Sequence, residues 1–226
     1  MRKWGSRWLS TANEVSGKIK EANCFDRQQS VNFASFIDEA FGRSLAYMLG
    51  GIPVIVPQSK SLIPSEPDCV EVGAVRIIGG IRPQNFDAAY RPDGPRVVFD
   101  SKTLNDKSSI RKNWQNMVND LATEAATVHT RFPYAIVSFA VVLPEPAVAD
   151  KQYFDLVRTL ERLGGRKDVL DQDHLAEAVA LILWDPESGT VNSARPNSDS
   201  SIRLESFSEK IFRHYVERYK GLPPHD

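Results

Sequence analysis

The stretch Asn85 to Lys102 reads NFDAAYRPDGPRVVFDSK. Its centre, RPDGPR at 91 to 96, is a turn: Pro92 pre-sets φ, Asp93 can bond its own backbone, and Gly94 accepts positive φ. The flanks FDAAY and RVVFDSK carry the aromatic and β-branched residues of strands, which predicts a β-hairpin. With the turn centred between Asp93 and Gly94, Arg91 faces Arg96, so the numbers of facing residues sum to 187 and Asp87 lies opposite Asp100. Facing Cβ atoms are roughly 5 Å apart, and like charges placed there repel. Such a register calls for something that compensates.

Asp100 and Lys102 are two apart, so on a strand they project from the same face as one another. Two carboxylates with room for water form a hard-oxygen site suited to Mg²⁺, and a bound divalent ion turns their repulsion into joint attraction. An ammonium beside that ion can position a water or stabilise negative charge developing on a phosphate. The chemistry implied is metal-assisted hydrolysis, with Asp87 and Asp100 as ligands and Lys102 as the assisting cation. DSK is the one acid-x-Lys triplet in the chain. The plainer alternative is a strand-end Asp87 paired with Arg82 or Arg96 and a solvated edge from Asp100 to Lys102. Asp93, at the turn tip, is read as structural.

A chain of 226 residues can bury a sizeable core as a single domain spanning 1–226. Its 42% hydrophobic and 25% charged content is that of a soluble globular protein, and a formal net charge of -1 argues against polyanion binding by bulk charge. A nucleic-acid surface must then be local. Between Arg82 and Lys112 seven basic residues (Arg82, Arg91, Arg96, Lys102, Lys107, Arg111, Lys112) stand against Asp87, Asp93, Asp100 and Asp106. Cys24 and Cys69 form no CxxC motif and are read as buried thiols in a reducing compartment. His129, His174, His214 and His225 lack any zinc spacing. MRKWGSRWLS has no continuous apolar core, and no run of 18 apolar residues occurs, so a cytoplasmic location is expected. There is no Walker loop, no GxSxG and no internal repeat.

Helical spacing of Phe33, Ile37, Ala40, Phe41 and Met48 predicts a helix over 28–49, ended by Gly50-Gly51. Glu39 falls roughly 200° around from Ile37. Short apolar strands are expected at 53–57 and 75–81, with Glu71 undecided between them. After Lys102, a capped helix runs to about Arg131, exposing Arg111, Lys112, Gln115 and Asn116; Arg111 and Gln115 are the residues chosen for DNA contact. YAIVSFAVVL, 134–143, reads as a strand buried on both faces. A helix at 149–164, a hairpin over 180–191, a polar loop at 193–201 and a final amphipathic helix at 206–220 complete the chain.

This order, a helix, a strand, a hairpin bearing D and DxK, a long helix and a buried strand, resembles the PD-(D/E)xK nuclease superfamily over about residues 28–143. The expected fold is α/β, a restriction-endonuclease-like mixed central β-sheet flanked by α-helices. In that family the first acid and the DxK acid bind Mg²⁺ while the lysine assists hydrolysis, roles that map onto Asp87, Asp100 and Lys102; here Asp87 follows Phe86 where the family has Pro. Many members add a glutamate from an N-terminal helix, which brings in Glu39. The resemblance further implies a type II restriction endonuclease cutting duplex DNA at a short sequence as a homodimer, with Mn²⁺ as a substitute ion and a DNA methyltransferase as its functional counterpart. Arg166, Arg195 and Asn197 are offered as base-reading residues. A repair or structure-specific nuclease, and a non-catalytic DNA-binding module, are the alternatives.

Overall fold

A computed structural model describes residues 1–11, 17 and 19–224; His225 lies outside the described residues. Among these, five α-helices flank one seven-stranded mixed sheet. In chain order the elements are α1 (Arg2–Leu9), α2 (Arg27–Met48), β1 (Val54–Ile55), β2 (Val70–Ile78), β3 (Pro83–Tyr90) and β4 (Val97–Thr103). They continue with α3 (Lys107–His129), β5 (Ile136–Pro144), a short 3-10 turn (Glu145–Ala147), α4 (Asp150–Leu163), β6 (Ala178–Asp185), β7 (Thr190–Val191) and α5 (Leu204–Tyr219).

The strands lie in the sheet in sequence order. β2, β3 and β4 form an antiparallel meander, and β4, β5 and β6 run parallel, joined through α3 and α4. β5 and β6 are buried along nearly their whole length, which is why their sequences are near-continuous apolar runs without alternation. Turn chemistry sets the β3–β4 register as expected: Ala88 faces Phe99, Ala89 faces Val98 and Tyr90 faces Val97, each pair summing to 187. β2 begins earlier than its apolar core suggests and carries a register shift between Val72 and Val75, while the segment at 53–57 contributes only a two-residue strand.

Two helix starts are made by aspartates. Asp26 and Gln29 form a reciprocal capping box on α2, with bonds of 2.8 and 3.1 Å, and Asp106 accepts from Ser109 N at 2.9 Å to open α3. The helix α1 has no counterpart in the sequence reading. Trp4 and Trp8, spaced i and i+4, bury its inner face against Phe25, Phe33 and Trp184. Trp8 Nε1 also donates to Asn105 O at 2.6 Å, so α1 braces the link between β4 and α3. Of the two thiols, Cys69 is buried but Cys24 is only half-buried. No helix among the described residues is long and apolar enough to cross a membrane.

Candidate metal-dependent hydrolytic site

The regular β3–β4 ladder stops at Ala88 and Phe99. Just beyond it, Asp87 Oδ2 accepts a hydrogen bond from Ser101 N at 2.8 Å, so a side chain holds the strands together where backbone pairing ends. The carboxyls of Asp87 and Asp100 come within hydrogen-bonding reach of each other. Lys102, two residues along, bonds Asp100 Oδ2 and lies 3.0 Å from Glu124 Oε1 on α3. The structure therefore brings Asp87, Asp100 and Lys102 into one cluster, and adds Glu124.

A fourth carboxylate comes from α2. The residue there is Asp38 and not Glu39. Glu39 is 62% exposed and pairs at 3.9 Å with Arg43, so it is corrected to a solvated helix residue. Asp38 stands in line with Gly42, Leu45 and Leu49 at i, i+4, i+7 and i+11, a buried stripe rotated away from the one built on Ile37 and Ala40. Gly42 makes the approach possible: a Cβ there would lie 2.1 Å from Val72 Cγ2, so only glycine lets α2 sit this close to β2. An aspartate inside an apolar stripe was the sequence signal for this residue.

Burial and the neighbouring Asp87 push the Asp38 carboxyl up to about 7. Asp100 is raised well above the usual carboxylate range by burial, by the charge of Asp87 and by their shared hydrogen bond, with Lys102 acting in the opposite direction. The Lys102 ammonium is held in its charged form against its own burial by Asp100 and Glu124. Burial and like charge thus favour the protonated forms of Asp38 and Asp100.

Among the described residues no group of three Asp, Glu, His or Cys side chains is already gathered to hold a metal. Lys102 stands between Asp100 and Glu124, bonded to both. The donor set nonetheless fits a hard divalent cation, since it is all oxygen. Glu124 Oε2 is buried with no hydrogen-bond partner, and beside the strand acids the Asp38 carboxyl and the Ser101 hydroxyl have only each other. Buried polar oxygens left without partners are rare in native proteins and ask for an explanation, of which an ion or its water shell is one.

Other residues singled out in the sequence lie elsewhere. Glu71 is fully buried and takes Arg91 in a two-pronged ion pair, removing both from the site and from any basic surface. Arg96 is likewise buried, forked onto Asp93 at 2.8 and 2.7 Å, which makes Asp93 a partner of the turn. The basic stretch thus loses two of its seven cations to the interior. Arg166 is buried beside Glu177 at 3.1 Å and bonds loop carbonyls, so it cannot reach a base. Arg195 is part exposed and lies near Glu145 and Asp150, and Asn197 is exposed. Arg111 and Gln115 are exposed, but at 100° per residue they sit about 140° and about 180° around α3 from Glu124. They project from the side of α3 opposite the cluster.

The chain has no significant match among models of known protein families, curated proteins or solved structures.

Proposed function

We propose that this protein is a Mg²⁺-dependent endonuclease that hydrolyses phosphodiester bonds of duplex DNA, and that it acts as a type II restriction endonuclease of the PD-(D/E)xK kind. The observation that carries the reading is the meeting of Asp87, Asp100 and Lys102 from two strands in one register, joined by the buried Asp38 from α2. The order α2, β2, β3, β4, α3, β5, with an antiparallel meander followed by a parallel strand, supports it as the family's core arrangement.

Asp87 and Asp100 would hold the ion, with Asp38 facing them. When bound, Mg²⁺ polarises the scissile phosphate and lowers the pKa of a coordinated water. The chain's own residues do the rest. Lys102 brings a half-buried positive charge to bear on the oxygens that gain negative charge, where partial exclusion of water strengthens it. The short hydrogen bond from Ser101 N holds the Asp87 carboxylate still, so that little reorganisation is needed during reaction. A homodimer would present two such clusters to the two strands, with Mn²⁺ able to replace Mg²⁺ and a host methyltransferase protecting the sites.

The test is digestion of plasmid DNA with Mg²⁺, followed by sequencing of the ends. Discrete fragments sharing one short sequence and bearing 5′ phosphates are expected, and Asp100→Asn should produce none. Cutting confined to flaps, mismatches or single strands would replace the restriction reading by the structure-specific one. No Mg²⁺-dependent cleavage of any DNA would leave the binding-module reading.

A further inference from the structure

Resting on that nuclease reading, we propose that Glu124 is the positioning residue for Lys102: it anchors the ammonium on α3 while Asp100 is committed to the metal. A lysine side chain has four rotatable bonds, so a place on β4 sets where Lys102 begins but not where its nitrogen ends. Two acceptors hold Nζ, Asp100 Oδ2 and Glu124 Oε1. Only one of them belongs to the expected ligand pair. Once a cation draws on Asp100, the 3.0 Å contact with Glu124 is what keeps the ammonium in the site.

Glu124 is built for that task. It is 4% exposed, and its Oε1 also receives Gln84 Nε2 from β3 at 3.3 Å. One turn of helix further on, Gly80 N donates to Thr127 O at 2.8 Å, and a Cβ on Gly79 would lie 2.2 Å from that same oxygen. The turn between β2 and β3 is thereby clamped onto α3, fixing Gln84 and Glu124 relative to each other. The second oxygen, Oε2, is buried with no partner. A buried carboxylate costs stability unless paired, and its pairing here is with the lysine of the DxK motif.

The experiment compares wild type, Glu124→Gln and Glu124→Ala for cleavage of plasmid DNA in Mg²⁺, for DNA affinity in Ca²⁺, and for thermal midpoint. Removing one charge-assisted hydrogen bond to the ammonium is expected to lower kcat about 10- to 100-fold in the alanine variant, with KM and Ca²⁺-supported affinity held within about twofold. The glutamine variant keeps an oxygen acceptor and should recover part of the rate. A readout apart from activity is the ¹⁵N signal of the Lys102 ammonium, assigned with Lys102→Arg. It is expected in wild type, protected by its two carboxylate bonds, and lost in Glu124→Ala. Should the alanine variant fail to fold, the isosteric glutamine variant decides: a kcat equal to wild type overturns the proposal. So does a loss confined to KM or thermal midpoint. If wild type itself cleaves nothing, the nuclease reading fails and this proposal with it, whereas active wild type with an equally active Glu124→Ala sinks the proposal alone.

Discussion

Asp87 and Ser101 are joined across two strands by a side-chain to backbone hydrogen bond of 2.8 Å, just beyond the last regular ladder pair. That bond makes Asp87 both a brace for the sheet and a charge in the site, and the two roles can be separated. Asp87→Asn keeps an oxygen acceptor for Ser101 N but removes the charge beside Asp38 and Asp100. Its stability without metal should equal wild type or exceed it by up to about 1 kcal/mol, while cleavage is lost. Asp87→Ala should fall below the asparagine variant by about 1 kcal/mol. Urea unfolding of the three proteins checks this, and an Asp87→Asn protein that still cuts DNA would remove Asp87 from the site.

Asp38 and Glu39 are adjacent in sequence yet opposite in environment. Asp38→Asn is expected to lower the cleavage rate by about 100-fold, a typical cost of losing one preorganised electrostatic group in such a site. Glu39→Gln, at a 62% exposed side chain, should leave the rate unchanged and shift stability by less than about 0.5 kcal/mol. Measuring the two side by side makes the assignment sharp: equal losses, or a loss only in the Glu39 variant, would reverse it.

The Glu71 to Arg91 pair is an interior structural element, with both side chains almost wholly excluded from solvent. Removing one partner strands a buried charge, so Glu71→Ala should destabilise the fold by about 3–5 kcal/mol. Replacing both residues by methionine should cost much less, because no charge is left unpaired. Denaturant midpoints of the single and double variants read this out. A single variant as stable as wild type would show that the pair carries no such weight.

His214 on α5 is buried, and its pKa is lowered by that burial and by Arg218, with Arg213 adding to the effect and Glu177 and Glu217 opposing it. A depressed histidine means that the folded state binds its proton less readily than the unfolded chain, whose histidine titrates near 6.5. The stability His214 contributes is complete above that value and is lost as pH falls from it toward the lower folded pKa. Relative to His214→Leu, wild type should therefore lose ground between pH 8 and pH 5. Unfolding curves at pH 8, 6.5 and 5 test the sign, and a constant difference between the two proteins would contradict it.

Much of the sheet was legible from residue order. The RPDGPR turn carries its own geometry, so counting outward from it yields the pairs of β3 with β4 and the closeness of Asp87 to Asp100. The continuous apolar runs of β5 and β6 were readable for the same local reason, since a strand covered on both faces has no polar side to show. Other features depend on what lies across the chain. Periodicity counts apolar residues, and it passed over Trp4 and Trp8 on a helix of only eight residues. On α2 it found the packed residues Phe33, Ile37, Phe41 and Met48 but missed the second buried stripe, because that one contains a glycine and an aspartate, which an apolar count does not register.

The hairpin, its register and the face shared by Asp100 and Lys102 are consequences of covalent spacing and of dihedral angles set within a few residues. That Asp38 and Glu124 complete the cluster, and that Arg91, Arg96 and Arg166 are interior cations, follows from packing between distant elements. The state of a charged side chain is set by solvent exclusion and by partners more than 100 residues away: Arg96 meets Tyr215 and the Pro223 carbonyl, 119 and 127 positions further on. No local pattern encodes such a meeting, because it exists only once the helices have closed over the sheet.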